Sequence, residues 1–380
     1  MTNNHNWNTK KMQELASFEG GGTPSRKKSE YFEKGTIPWV KTLDLNNAII
    51  SRTEECITEL GLKKSSCRTL PKDSILIAMY GGFNQIGRTG LLSIEATVNQ
   101  AITAIILDKN KLLPRYLLFY LNFNVQKWKK FAVSSRKDPN ITKEDIKKML
   151  ISFPSAIYEQ HKIVEVLETW DKAIQLTRKL IEQKELQKKE LLQRLVYKQP
   201  ETTSYFLGQL FTLGRGRVIS KEEIAQNPGA YPVYSSQTAS NGVLGNINTF
   251  DFDGEYITWT TDGANAGKVF YRTGKFNCTN VCGTAHLKQK NQHNLYYIMS
   301  YLNNVTKKYV SYVGNPKLMN GVFANILLLL PSKEFQDKVA TLLITLDKKI
   351  ELLRQKLNKL EEQKKGLMQI LLTGKVRLNW

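Results

Sequence analysis

The feature that most constrains the fold is a long charged segment that occurs twice. Residues 171–195 read DKAIQLTRKLIEQKELQKKELLQRL, and residues 347–371 read DKKIELLRQKLNKLEEQKKGLMQIL. The two segments are identical at 12 of 25 positions when one is shifted by 176 residues. A repeat at nearly half the length of a 380-residue chain predicts two copies of one structural unit.

Apolar residues recur at alternating steps of four and three through both segments. The first series occupies positions 163–195 and the second positions 339–371, with interruptions at Lys184, Lys188 and Lys364. This heptad spacing, with charges around it, is typical of a coiled coil. Because a globular segment separates the two helices, we expect them to pack antiparallel, each about 36 residues and roughly 55 Å long. The lysines predict that the middle is looser or faces other protein.

The globular parts repeat as well. Residues 74–121 and 255–302 each contain an apolar β-like run, a Gly-x-Asn turn, a Gly followed by a basic residue and a helical Tyr-x-x-x-Tyr-Leu. A Pro-Ser pair then precedes each long helix. We therefore predict a mixed α+β protein with a two-fold internal repeat. Its predicted parts are a first globular domain at 1–155, a first helix at 156–200, a second domain at 201–332 and a second helix at 333–380.

The net charge of +21 and the pI near 9.6 predict a polyanionic partner, most often nucleic acid. The excess is spread over the whole chain, which favours a folded basic surface. No run of about 18 apolar residues exists, so no membrane span is predicted. Four cysteines are too few for a disulfide scaffold, and the first residues lack the apolar segment of a signal peptide. These features predict a cytoplasmic protein.

Motifs for catalysis are missing from the sequence. It has no G-x-x-x-x-G-K-[ST] phosphate loop, no G-x-G-x-x-G and no Pro-Pro-aromatic motif of an adenine methyltransferase. The series Cys278-x₃-Cys282-x₃-His286 departs from usual zinc spacing and is interpreted as buried thiols on a strand. The sequence thus predicts a binding protein without catalytic residues or a metal. A self-contained methyltransferase or nuclease is the alternative from a different class.

Two segments carry a family resemblance: GGTPSRKKSEYFEKGTIPWVKTLDL at residues 21–45 and YPVYSSQTASNGVLGNI at residues 231–247. With the order globule, helix, globule, helix, the chain resembles the specificity subunits of type I restriction–modification systems over nearly its full length. The resemblance implies that each globular domain is a target-recognition domain for one half of a bipartite, asymmetric DNA site. A similar subunit of a type IIB system is left open.

The resemblance also implies partners. The long helices would set the spacing between half-sites and dock two modification subunits, which methylate adenine, and restriction subunits would join to cleave double-stranded DNA. The specificity subunit would bind no cofactor itself, and S-adenosylmethionine, Mg and ATP are expected on the partner subunits.

Basic and polar loop residues are the candidates for DNA contact. Arg favours guanine and Asn or Gln favours adenine in the major groove, whereas Lys holds phosphates. The basic candidates are Arg26, Lys41, Arg88, Arg136 and Lys137 in the first domain, and Arg215, Arg217, Lys268 and Lys317 in the second. The polar candidates for base edges are Ser25, Asn84 and Asn140, with Ser236, Gln237, Asp262, Asn265 and Asn315 in the second domain. The sequence alone does not assign bases to them.

Overall fold

Two long helices dominate the computed structural model, which describes residues 7–81, 84–127, 140–197, 201–237 and 239–378. They span Ile157–Tyr197 and Lys333–Leu371, with 41 and 39 residues, and are somewhat longer than the heptad series alone predicts. The chain forms two compact units, Met1–Arg178 with Lys356–Trp380, and Lys179–Gln355. Each unit therefore contains one globular head and part of each long helix.

Within the described residues, the first head has ten strands and three helices. The strands are β1 (Trp7–Lys11), β2 (Ala16–Gly20), β3 (Ile37–Val40), β4 (Ala48–Ile50), β5 (Glu55–Ile57), β6 (Ile75–Ala78), β7 (Thr89–Leu92), β8 (Thr97–Val98), β9 (Ile102–Leu107) and β10 (Leu150–Pro154). The helices are α1 (Glu59–Lys63), α2 (Pro114–Phe123) and α3 (Lys143–Lys148), and the long helix that follows is α4 (Ile157–Tyr197).

The part of the second head that the structure describes has ten strands and four helices. The strands are β11 (Thr203–Phe206), β12 (Phe211–Arg215), β13 (Pro228–Tyr234), β14 (Val243–Ile247), β15 (Phe252–Asp253), β16 (Tyr256–Thr260), β17 (Val269–Arg272), β18 (Lys275–Cys278), β19 (Cys282–Leu287) and β20 (Leu327–Leu330). The helices are α5 (Leu207–Leu210), α6 (Lys221–Gln226), α7 (Leu295–Val305) and α8 (Asn320–Ala324), and the second long helix is α9 (Lys333–Leu371). Short 3₁₀ turns occur at Met12–Glu14, Ser29–Tyr31, Thr42–Asp44, Ala239–Gly242 and Thr306–Tyr309.

Sheet order confirms the predicted repeat. The main sheet of the first head has the order β2-β9-β6-β7-β4, and that of the second head has the order β12-β19-β16-β17. A smaller sheet follows in each, β5-β3-β8 and β14-β13-β18-β15, and a two-stranded ribbon, β1-β10 or β11-β20, leads to the long helix. The edge strands β4 and β15 are the main topological difference between the described parts of the heads.

The main sheet of the first head separates two cores. Successive side chains of a strand point to opposite faces. Accordingly, Ile75 and Ile77 of β6 pack with α2 and the start of α4, whereas Leu76 and Ala78 pack in a second apolar cluster. This strand is apolar at every position because both of its faces are buried.

Ion pairs show that the long helices run antiparallel in each unit. In the first unit, Asp171 pairs with Lys364 at 2.5 Å and Arg178 with Glu361 at 2.5 Å. In the second unit the equivalent pairs, shifted by 176 residues, are Asp347 with Lys188 at 2.5 Å and Arg354 with Glu185 at 2.6 Å. Two of the three seam lysines are thus explained, because each has an aspartate opposite it. The predicted apolar seam is also confirmed, since its described positions are buried or half-buried.

A glutamine fixes each head to its long helix. Gln160 Oε1 accepts from the Leu113 N–H at 2.9 Å, and its Nε2 donates to the Pro154 carbonyl at 2.9 Å. One repeat later, at position 336, a glutamine accepts from Asn294 N–H at 2.9 Å and donates to Pro331 carbonyl at 2.8 Å. Both glutamines are completely buried, so each satisfies backbone groups that water does not reach.

Candidate nucleic-acid interface

The guanidinium of Arg215, at the end of β12, is held by three acceptors. Its Nε donates to the Asn280 carbonyl at 2.6 Å, and Nη2 donates to Thr261 Oγ1 and to Asp262 Oδ2, both at 3.2 Å. The side chain nevertheless stays 40% exposed. The Nη1 group has no acceptor among the described residues, so it remains able to donate to a base edge or a phosphate.

A loop of residues 310–318 packs beside this arginine site. Asp262 and Lys317 form an antiparallel backbone bridge. The buried Trp259 anchors the end of the loop, because its indole Nε1 donates to the Leu318 carbonyl at 3.0 Å. The backbone therefore holds two candidates, Asp262 and Lys317, next to each other.

The candidate asparagines of the second head are exposed on the two loops that meet here. Asn315 lies in the 310–318 loop, and Asn265 lies in the turn after β16. The sequence candidates at this end of the sheet form a surface that we call the second reading edge, consisting of Arg215, Asp262, Asn265, Asn315 and Lys317.

Sequence reasoning missed the apolar tip of the same loop. Tyr312 is 67% exposed and Val313 is 93% exposed, although both are large and apolar. Methyl and aromatic groups at such a tip are able to contact thymine methyl groups. The signal was present in the segment SYVGNP, where two large apolar residues stand between Ser311 and Gly314.

Arg217 has a different environment from Arg215. Its Nη1 lies 2.8 Å from Glu223 Oε1, and its Nε donates to Asp251 Oδ2 at 3.1 Å. These carboxylates, Glu223 first, raise the pKa of the guanidinium above its usual value. Arg217 thus joins α6 to the segment before β15, and its side chain stays 42% exposed.

The remaining candidates of the second head lie in the loop after β13. Ser236 and Gln237 are half-buried, and Gln237 Nε2 donates to the Val243 carbonyl. Below this loop lies the buried Arg272, whose guanidinium carbon is 3.6 Å from the centre of the Tyr234 ring. Burial lowers the pKa of Arg272. The packing of Arg272 against the Tyr234 ring thus supports the loop.

In the first head, Glu55 forms ion pairs with two of the basic candidate residues. Arg26 Nη1 and Lys41 Nζ each lie 2.7 Å from a Glu55 oxygen, and Lys41 also donates to Glu54 at 2.8 Å. The Arg26 guanidinium carbon is also 4.9 Å from the centre of the Trp39 ring. Ser25 is exposed next to this group.

These charges shift the titration of the group. Hydrogen bonding to Arg26, and then to Lys41, holds the pKa of Glu55 below its usual value. The pKa of Lys41 is raised, with Glu54 as the larger cause and Glu55 as the next. The positive charges of Arg26 and Lys41 are therefore largely neutralised by Glu54 and Glu55.

A second group of candidates follows β6. Arg88 Nε donates to the Asn84 carbonyl at 3.1 Å and so closes the exposed turn. Asn140 is half-buried, and its neighbour Ile141 donates its N–H to the Met79 carbonyl at 2.8 Å. The candidates Arg136 and Lys137 lie outside the described residues, as do the first two residues of the Gly-x-Asn turn.

One glycine in each head allows the loop that carries the candidates to cross the smaller sheet. A Cβ at Gly21 would lie 2.1 Å from the Val98 carbonyl oxygen, and a Cβ at Gly216 would lie 2.2 Å from the Cys278 carbonyl oxygen. Real Cβ atoms do not approach so closely, so only glycine fits at either position. Ser25 and Arg26 follow the first crossing, whereas Arg215 and Arg217 flank the second.

Lys268 differs from the other candidates because it lies in a cleft beside the long helices. The cleft also contains Lys188, Asp347 and Arg354. Loss of water around the Lys268 ammonium group lowers its pKa, and the positive charges of Lys188 and Lys307 add to this effect.

The cysteines agree with their interpretation as structural thiols. Cys278 and Cys282 are buried at the ends of adjacent strands and form no disulfide. Within the described residues, no group of three or more His, Cys, Asp or Glu side chains is arranged to hold a metal ion. The described helices also include none with the length and apolarity needed to cross a bilayer.

Two heads of one topology with polar loop edges, each mounted on long paired helices, define a duplicated binding scaffold. The family model described as the type I restriction modification DNA specificity domain matches this chain twice, at residues 4–186 and 200–362. The chain belongs to this family and is a type I specificity subunit.

Curated relatives agree with this assignment. A putative type I specificity subunit N-terminus of Mycoplasma pneumoniae is 49% identical over 144 residues, which cover 37% of this chain and 76% of the relative. The EcoR124I/EcoR124II specificity subunit of Escherichia coli is 30% identical over 169 residues, covering 43% of this chain and 40% of the relative. A third, from Mycoplasma pneumoniae, is 37% identical over 220 residues, which cover 55% of this chain and 80% of that protein.

A solved structure supports the fold. The crystal structure of a type I restriction–modification S subunit from M. genitalium aligns with a TM-score of 0.68 and 18% identity, over 98% of this chain and 97% of that one. The similarity extends over both heads and both long helices, and at this identity it concerns the fold alone.

Proposed function

We propose that this chain is the non-catalytic subunit that selects the DNA target of a type I restriction–modification complex. Each head would read one half of a bipartite, asymmetric site in double-stranded DNA. The observation that carries the proposal is the contrast between the heads, which share sheet order and buried contacts but differ in the side chains at their edges. Two unlike edges on one scaffold suit two unlike half-sites.

The long helices would set the spacing between the half-sites and dock two adenine methyltransferase subunits. Restriction subunits would complete the complex, which would act in the cytoplasm. S-adenosylmethionine, Mg and ATP would belong to these partners. Its own contribution is positional, since phosphate contacts orient a protein on DNA and base contacts select the sequence.

The test is to map methylated adenines in DNA modified by the assembled complex. Replacing residues 1–155 with the matching head of another family member should change one half of the methylated sequence and leave the other half intact. A change in both halves would contradict independent reading by the heads. The chain alone, incubated with DNA and labelled S-adenosylmethionine, should transfer no methyl group, and turnover would contradict the non-catalytic role.

A further inference from the structure

The cleft that contains Lys268 belongs to the second unit and has a volume of about 750 Å³. It lies where the end of α7 and the start of β17 meet the two long helices. Five cationic and two acidic side chains line it, together with neutral residues. The charged ones are Glu185, Lys188, Lys189, Lys268, Lys308, Asp347 and Arg354.

Only part of this charge is neutralised inside the cleft. Lys188 is paired with Asp347 and Arg354 with Glu185, so both acids already have partners. Lys189, Lys268 and Lys308 form no ion pair with any carboxylate that the structure describes. The Lys268 ammonium group lies near the positive charges of Lys188 and Lys307, and an anion bound among these cations would offset their repulsion.

The equivalent cleft of the first unit has the same ion-paired floor but different walls. Lys364 is paired with Asp171 there, as the repeat requires. The edge strand β4 and the segment before it supply Asn46–Ile49 to one wall, and Phe119 lies under Lys364, 5.1 Å from its Nζ. At the position equivalent to Lys268, Arg88 is bonded to a backbone carbonyl instead. The excess of unpaired lysines is therefore a property of the second unit.

The cleft lies next to the second reading edge. Lys268 follows the turn that carries Asp262 and Asn265, and its carbonyl accepts from the Thr260 N–H at 3.0 Å. Gly267 N–H donates to the Thr260 carbonyl at 2.9 Å, so the turn is closed tightly between the two sites. Lys268 and the reading-edge residues Asp262 and Asn265 are therefore parts of one closed turn and its base.

We propose that this cleft binds the phosphate backbone of the DNA next to the half-site read by the second head, through Lys189, Lys268 and Lys308. The proposal rests on the proposed function and adds a contact that carries no base preference. Flexible lysines act as point charges and suit a phosphate backbone of any sequence, whereas rigid arginine forks suit base edges. The first head would lack an equivalent contact, so the two heads would bind the phosphate backbone with unequal strength.

The test uses the full chain, alone and with its modification subunits, and a duplex that contains the mapped target. Lys268→Gln, Lys308→Gln and their combination are compared with Lys290→Gln, an exposed lysine beyond the opposite end of β19. Each lost phosphate contact should flatten the plot of log affinity against log salt by about 0.9. We expect this for each single variant, about twice as much for the double variant, unchanged base preferences and no effect of the control. Equal thermal unfolding midpoints would show that the variants are folded.

A second arm identifies the phosphates. Neutral methylphosphonate linkages are placed one at a time along the duplex, and the one that weakens the normal chain should have little further effect on the double variant. A salt slope equal to that of the Lys290→Gln control would overturn the proposal. Normal DNA binding with lost binding of modification subunits would also overturn it, in favour of an acidic protein surface. If the normal chain preferred no DNA sequence at all, the proposed function would fail instead, whatever the lysine variants did.

Discussion

The two heads agree inside and differ at their edges. Buried glutamines at positions 160 and 336 share two bonds to the same kinds of backbone groups, and the helix ion pairs recur with the same residue types. At the edges, Arg215 pairs with Asp262 through Nη2, whereas Arg26 pairs with Glu55 through Nη1 and packs on an aromatic ring. The comparison teaches that the scaffold and the reading surface of this fold vary separately.

The edge strands belong to the same contrast. Strand β4 extends the main sheet of the first head, and β15 extends the smaller sheet of the second. Both are short and lie outside the shared strand order, so they change the surface without disturbing the repeated core. The following predictions test how far the heads are equivalent.

The largest effect should come from lengthening the helices that the heads share. Seven residues inserted after Glu182 and seven after Leu357 lie between the two sets of ion pairs and preserve the heptads. They add about 10 Å and nearly two turns to each helix, or roughly three base pairs of spacer. Methylation mapping should find unchanged half-sites farther apart. An unchanged spacer in a complex that assembles would mean that the helices serve only as docking surfaces.

Removing each buried glutamine should destabilise both heads by a similar amount. Gln160→Leu removes the partner of three backbone groups and Gln336→Leu that of two, at about 1–3 kcal/mol per buried group, so a loss of at least about 2 kcal/mol is expected from either change. Denaturant unfolding measures the change, and the exposed Gln175→Leu should stay within about 0.5 kcal/mol of the normal chain. A large loss for only one glutamine would break the equivalence of the two junctions.

The two heads should respond unequally to loss of an arginine. Arg215→Ala should relax one position of the recognised sequence by about 1–3 kcal/mol of discrimination, because it removes the arginine of the second reading edge. Arg26→Ala should change discrimination less, since its guanidinium is packed on the Trp39 ring as well as paired with Glu55, and the exposed Arg52→Ala serves as the control. Binding to duplexes with single base changes gives the values. A larger effect for Arg26 would reverse our assignment of the two environments.

The smallest effect concerns pH in the first head. Because hydrogen bonds lower the pKa of Glu55 in the folded state, its contribution is present above the ordinary value of about 4.5 and is lost as pH falls through the lowered value. Glu55→Gln should therefore remove less than about 1 kcal/mol of unfolding free energy at pH 6 and a smaller amount at pH 3. Denaturant unfolding at both pH values, with the exposed Glu33→Gln as control, measures it. An equal loss at both pH values would point to packing and not to charge.

Local pattern carried most of the fold and little of the site. The heptad seam and the repeat predicted both long helices, their antiparallel packing and the duplicated α+β heads. The four-part domain division and the roles of the candidate residues stay predictions. The sequence did not show which carboxylates pair with the candidate arginines, because Glu55, Asp251 and Asp262 are brought to Arg26, Arg217 and Arg215 only by the tertiary fold. Strand β4 is only three residues long and gave no periodic signal.

The two glutamine junctions have a consequence for how the molecule behaves in different solutions. A glutamine amide carries no charge, so neither dissolved ions nor protons weaken its bonds directly. The grip of a basic protein on DNA, in contrast, falls by orders of magnitude as ions accumulate. Each head should therefore keep its position on its helix while its affinity for the duplex changes with salt concentration. Uncharged hydrogen bonds would set the geometry of recognition, and ionic contacts would set the affinity.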